Sequence, residues 1–325
     1  MPELDIQWLS NIALSDFSVR LLILLGIMLL DQFIALPSSY HPKLVFRYLS
    51  QQLAAKVNSR TATQQKIAGQ ITLLVLISLT FGFTWLIMFF AVYPWFFQFI
   101  IIGLLISSKP LLTSANIVKR SLENNHKVLA REQLQQLCLR DTKSLSTLGI
   151  AKATTEALPQ RLIISYFSPI LIYACFGIYA TVLAVTVSSA AQIFNQKHLR
   201  FFHYGMSANL LSRIIIFPAQ LLFSLNIYLL FGAKTSFSHI INQAKNWHTF
   251  GNGLIINVSA WALNCSLGGA VIYQKIKITR PQLGTTTQPS VIHINDIIRV
   301  NQQVITSWLG LIVIAVVSSL IINTF

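Results

Sequence analysis

The sequence predicts an all-α protein: a polytopic integral membrane helical bundle with about five to seven transmembrane helices and a cytoplasmic helical segment. Three observations predict it. The chain is 54% hydrophobic and only 10% charged, with a mean hydropathy of +0.62, far from the averages of soluble domains. Its apolar residues gather into runs of membrane length. Its net charge of +15 comes from a shortage of acids, nine Asp and Glu against 24 Lys and Arg, and the bases collect between the apolar runs. Basic loops of this kind stay on the cytoplasmic side of a span, so the lipid bilayer, and not nucleic acid, is the expected partner. Residues 1–325 read as one integral membrane domain. Cys138, Cys175 and Cys265 are widely spaced, with no CxxC and no His at zinc-ligand spacing, which argues against a disulfide framework or a zinc site.

Taken in order, Glu3, Asp5 and Asp16 precede the first apolar run, and no base occurs before Arg20. A cleaved signal needs a basic start, so Leu21–Leu36 is expected to be a retained span with an acidic, external N-terminus. Asp31 lies deep in that run, either as a functional charge or at the end of the span in reach of headgroups. Residues 38–70 carry Lys43, Arg47, Lys56, Arg60 and Lys66 with no acid, a cytoplasmic loop by charge. Ile71–Ser107 as one helix would run about 55 Å against a hydrocarbon core of about 30 Å, so two spans with a turn near Tyr93-Pro94 fit better. Residues 108–161 return to the cytoplasmic side, with amphipathic helices over Ser121–Leu139, where Val128, Leu134 and Leu137 share a face, and over Leu148–Leu158. Leu162–Val187 is a span that Pro169 should kink. Asn209–Phe231 is a span whose Arg213 can snorkel from near its start. Leu254–Tyr273 is either a span or a re-entrant segment buried in protein. A polar loop over 274–305 contains the start of a helix near Asn295-Asp296, and Thr306–Ile322 is a final span.

No Walker A loop, dinucleotide fingerprint, HExxH or nucleophile elbow is present. The polar motifs are instead dispersed. His41-Pro42 follows the span that carries Asp31, and Arg140-Asp141-Thr142 precedes Glu156. Pro218-Ala219 lies in a late span, and Leu267-Gly268-Gly269-Ala270 is followed by Pro281, Leu283-Gly284 and Asp296-Ile297. By their own chemistry these residues allow ordinary roles: Arg140-Asp141 an ion pair or helix cap, Glu156 a solvated helix residue, His41-Pro42 a turn. In this order and spacing, over most of the chain, they resemble the CbiB/CobD family of cobalamin biosynthesis.

The resemblance implies amide formation at a bacterial inner membrane, where aminopropanol or its phosphate joins a propionate carboxylate of adenosylcobyric acid. A carboxylate is a poor acyl donor, so ATP and Mg2+ are the implied cofactors and a corrinoid the implied substrate. Under this reading His41, Asp141 and Glu156 are the catalytic candidates. Arg140, Thr142, Lys143, Gly268 and Gly269 bind substrate or phosphate, and Asp141 and Glu156 are the metal ligands. A homo-oligomer is compatible with it. The chain also departs from the family pattern. Where acids or amides are expected it carries Gln160, Arg161, Ile164, Ser188, Ala191, Leu211, Ser212 and Ile215. Ala35-Leu36-Pro37 stands for a Gly-Asp-Pro, and Gln220 for an Arg after Pro218-Ala219. Neutral replacements cannot bind a hard cation. The alternative is therefore a catalytically inactive relative that acts as a membrane signalling or interaction protein, as in the related AmpE family. A small-molecule carrier ranks behind both, since no paired halves are visible.

Overall fold

The structure, a computed structural model, describes residues 16–33, 43–57, 61–231, 235–273 and 276–324. His41 and Ala35-Leu36-Pro37 lie outside them. The described residues form helices α1 (Asp16–Phe33), α2 (Lys43–Val57), α3 (Ala62–Phe90), α4 (Pro94–Leu105), α5 (Lys109–Glu123), α6 (Lys127–Leu137), α7 (Thr147–Leu162), α8 (Ser168–Ile193), α9 (Met206–Phe231), α10 (Phe237–Ala244), α11 (Phe250–Ala262) and α12 (Val291–Thr324). Between α11 and α12 lie four short strands, β1 (Ser266–Gly268), β2 (Val271–Tyr273), β3 (Ile276–Ile278) and β4 (Gln282–Gly284).

Among the described residues, five helical stretches are long and apolar enough to cross a membrane: Ala62–Phe90, Pro94–Glu123, Thr147–Ile193, Met206–Phe231 and Val291–Ile322. The chain is thus a polytopic helical membrane protein. Pro94 occupies the first turn of α4, where its missing N–H is no loss, and this sets the turn expected near Tyr93-Pro94. α1 carries Asp16, Arg20 and Asp31 within its 18 residues, so by charge it is not one of the five. Ser108 N–H donates to both oxygens of Asp31 at 3.2 Å, and its hydroxyl donates to one of them as well. The carboxylate thereby caps the start of α5, where a negative charge is stabilising, and this ties the end of α1 to the break between α4 and α5.

Other boundaries differ from the sequence reading for physical reasons. The helix expected over Ser121–Leu139 is divided at Asn124-Asn125, with Asn125 at φ +59°. Leu134 and Leu137 are buried, but Val128 is exposed. Helix α12 is continuous from Val291, so the late polar helix and the final span are one element. Leu254–Tyr273 is not a span. Its helix α11 has 13 residues, about 20 Å at the helical rise, and is buried among α9, α10 and the strands. The polar loop contains strands because β1 pairs with β4 and β2 with β3, both antiparallel.

Pro169 acts just upstream of itself. It cannot donate to the Ser165 carbonyl four residues back, and Ile163–Phe167 is a π-turn. Such a turn is a common response to an interrupted helical ladder. The freed Ser165 carbonyl accepts from Ser107 N–H at 3.2 Å, which satisfies it inside the bundle.

The core is centred where α7 and α8 meet α9 and α12. Phe167 packs on Phe223 and on Trp308, each with ring centroids 4.9 Å apart. A second cluster joins α3 to the loop after α8. Tyr204 donates its hydroxyl to Thr72 Oγ1 at 2.6 Å, and a Cβ on Gly69 would stand 2.0 Å from the Tyr204 carbonyl oxygen. Gly69→Ala is expected to cost about 1–3 kcal/mol by overpacking. The check is a lower melting temperature of the purified protein in detergent, and an unchanged one would contradict this contact.

Candidate functional site

Glu156, on α7, is fully buried. The sequence places it on that face through the Ser146 cap, whose hydroxyl accepts Gly149 N–H at 3.1 Å, and a helix that continues from Ile150 without Gly or Pro to Pro159. Its Oε1 accepts Gly268 N–H at 2.8 Å, while its Oε2 accepts the Arg280 guanidinium at 3.0 Å and that of Arg140. A buried carboxylate is tolerable only when paired and hydrogen-bonded, and this one is met by two cations and a backbone donor.

Each partner is held in turn. Arg280 donates through Nε to Gly269 O at 3.1 Å and lies over the Trp247 ring, 4.8 Å from its centroid. Gly268 and Gly269 have φ of +90° and +76°, a region open to glycine at little cost. That conformation turns Gly268 N–H onto Glu156 and Gly269 N–H onto the Pro281 carbonyl at 3.2 Å. Burial alone would depress the Arg140 guanidinium, but Glu156, and behind it Tyr273 and Cys138, oppose burial and hold it above its ordinary value.

The triad of Arg140, Glu156 and Arg280 borders a cavity of about 930 Å³ between α7, α8, α9 and the segment before β4. Seven of the positions that depart from the family pattern line this cavity: Gln160, Arg161, Ile164, Ser188, Ala191, Ser212 and Gln220. A second cavity, of about 180 Å³, lies on the other side of Arg140 and is lined by Asp141, Lys152, Gly268 and Lys277 among others.

The structure brings Arg140, Glu156 and Gly268 into direct contact, with Gly269 one residue away. Asp141 does not join them. It pairs with neither Arg140 nor Glu156; its Oδ1 accepts Lys143 N–H at 3.2 Å, and it faces the smaller cavity. Thr142 is buried, Lys143 is exposed, and neither lines either of these two cavities. The solvated role for Glu156 is corrected, because no solvent reaches its side chain. The two carboxylates also fail to form the expected metal site. Both oxygens of Glu156 are taken by donors, Asp141 opens elsewhere, and no three His, Cys, Asp or Glu gather among the described residues. That donor set does not suit Mg2+, which needs oxygen ligands free to coordinate it.

Arg280 and Lys152 were not anticipated. Arg280 directly precedes Pro281 in the segment already marked by its motifs, which was the available signal. Lys152 is four residues before Glu156, one turn away on α7, and reaches toward Gly269.

These features define a helical membrane protein with a polar interior site, closed on one side by a strand-bearing loop and anchored by a buried carboxylate between two arginines. The chain matches the family described as CobD/Cbib protein over residues 23–301, and it belongs to that family. It is similar to proteins named "Cobalamin biosynthesis protein CobD" from several bacteria. The protein from Chromobacterium violaceum is 22% identical over 289 residues, covering 87% of this chain and 93% of the relative. The one from Stutzerimonas stutzeri is 24% identical over 271 residues, covering 83% and 89%. The one from Clostridium perfringens is 25% identical over 300 residues, covering 89% and 95%. No solved structure matches the chain.

Proposed function

We propose that this chain serves cobalamin biosynthesis in the bacterial inner membrane, with its basic loops cytoplasmic, and that it joins aminopropanol or its phosphate to a propionate carboxylate of a corrinoid. The observation that carries the reading is the contact of Glu156 with Arg140 and Gly268. Three separate family-like motifs thereby meet at the edge of one large cavity. In this reading the propionate edge of the corrinoid enters the larger cavity and meets its cations. The amine occupies the smaller cavity, where Asp141 orients the ammonium and Lys152 and Lys277 face the phosphate when one is present. Arg140 lines both cavities and stands between acyl donor and amine, which is what holding two reactants at attack distance requires.

A carboxylate must be activated before an amine displaces one of its oxygens, and a phosphoryl donor such as ATP supplies that activation. The bound ammonium first loses a proton, the free amine nitrogen then attacks the acyl carbon, phosphate leaves, and the nitrogen gives up a second proton. No step is assigned to Mg2+, for which these residues offer no ligand set.

A second reading has its own support. The cavity positions Gln160, Ile164, Ser188, Ala191 and Ser212 carry no charge, as expected of a relative that binds and no longer catalyses. Complementation of a bacterial strain lacking the family enzyme separates the two. We expect rescue, loss of rescue with Asp141→Asn, and formation of cobinamide from adenosylcobyric acid and the amine by membranes carrying the chain. Failure to rescue, with the protein present in the membrane, would establish the non-catalytic reading. Full rescue by Asp141→Asn would remove Asp141 from the site.

A further inference from the structure

The larger cavity is lined by five cationic side chains, Arg140, Arg161, Lys197, Arg213 and Arg280, and by one carboxylate, Glu156. Glu156 is already bound by Arg140 and Arg280. The other three cations have neutral partners only. Arg161 donates to the Leu137 carbonyl at 2.9 Å and to the Gln192 side-chain oxygen. Arg213 donates to Gln196 Oε1 at 3.3 Å. Lys197 donates to the Tyr273 hydroxyl at 3.1 Å and lies 4.8 Å from the centroid of that ring. None of the three has an ion pair among the described residues.

We propose that Arg161, Arg213 and Lys197 form a seat for a phosphate-bearing ligand and hold it directly, without a bridging divalent cation. The three are graded by depth. Lys197 and Arg213 are exposed, and Arg161 is partly buried, as are Arg140 and Arg280 around the buried Glu156. Positive charge on the walls of a low-dielectric cleft concentrates anions from the solvent, and the deeper guanidinium can engage a phosphate with two parallel N–H donors. A single carboxylate would leave most of this charge unanswered, whereas a diphosphate carries enough charge for all three. A divalent cation meets repulsion here and finds no free carboxylate, so direct Arg and Lys contacts replace the usual metal bridge. The seat rests on the proposed function only in using the same cavity.

The test uses the full chain in nanodiscs of neutral phosphatidylcholine, with inorganic pyrophosphate as the probe in isothermal titration. Pyrophosphate is expected to bind in excess EDTA, and Mg2+, which chelates pyrophosphate in solution, is expected not to strengthen that binding. Arg161→Gln is expected to weaken binding on the order of tenfold, the scale of one charge-assisted contact, and Arg161→Lys to retain part of it. Arg161 also ties α7 to Leu137, so Arg213→Gln and Lys197→Gln, at exposed positions, provide the check where folding is not at stake, and each should weaken binding several-fold. Discs containing phosphatidylglycerol distinguish the source of the phosphate. Competition with pyrophosphate that disappears in Arg213→Gln assigns it to a lipid headgroup, and absence of competition assigns it to a soluble ligand. Binding that requires Mg2+, binding indifferent to all three substitutions, or no binding of either probe would overturn the seat. Failed complementation with EDTA-resistant binding intact would remove the proposed reaction and leave the seat standing.

Discussion

Glu156→Gln is expected to destabilise the protein by about 3–5 kcal/mol, the scale of breaking a buried ion pair from one side. The substitution preserves volume, yet it leaves Arg140 and Arg280, with side chains only 10% and 15% exposed, as two largely buried cations with no carboxylate. Thermal unfolding in detergent measures the effect directly, and a melting temperature equal to the parent's would refute the triad. The double variant Glu156→Gln with Arg140→Met separates charge from shape. It should recover part of the lost stability, because one unpaired cation is gone, and should recover none of the activity, because Arg140 borders both cavities. Recovery of both would reduce the triad to a structural device.

Gly268→Ala should be nearly as damaging for a different reason. A Cβ there would lie 2.2 Å from the Pro281 carbonyl oxygen and 3.1 Å from the Trp247 ring. The left-handed backbone adds about 1–2 kcal/mol for any L side chain, and the overlap about 1–3 kcal/mol more. The strand segment must shift, and the Gly268 N–H then leaves Glu156. Gly310→Ala on α12 is the matched control, since nothing lies within 4 Å of its added methyl. Thermal unfolding of the two variants side by side should show a large loss for the first and almost none for the second. Equal behaviour would mean that the β1 turn tolerates a side chain and is not fixed as described.

Much of the site was readable because its residue types are rare in such a chain. In a sequence with nine acids, a carboxylate downstream of Arg140-Asp141 stands out, and so does a Gly-Gly pair in an apolar stretch. What could not be read was which cation pairs with which acid. Arg140 is adjacent to Asp141, and the local pair is the natural expectation, yet Arg140 turns to Glu156 sixteen residues away. The preference follows from burial: unscreened attraction to a carboxylate inside the protein exceeds attraction to one that water also solvates. Arg161 stood out only as a departure from the family pattern, a base just before the apolar run that begins at Leu162, and nothing in that pattern marks it as a ligand contact. Only the surrounding lining shows that it faces the larger cavity, where its own partners are the neutral Leu137 carbonyl and Gln192.

By itself the sequence determined the membrane class, the positions of the five long apolar stretches, and the turn at Pro94. All of these are local consequences of run length, charge placement and the lost N–H of proline. The tertiary structure alone decided that Leu254–Tyr273 folds back instead of crossing and that the polar loop forms strands. It also decided that Gly268 and Arg280, 112 and 124 residues beyond Glu156, close on one carboxylate. The reason is that span formation is set within a single segment by transfer out of water, whereas a buried charge is stable only with partners that the packing of several segments brings to it.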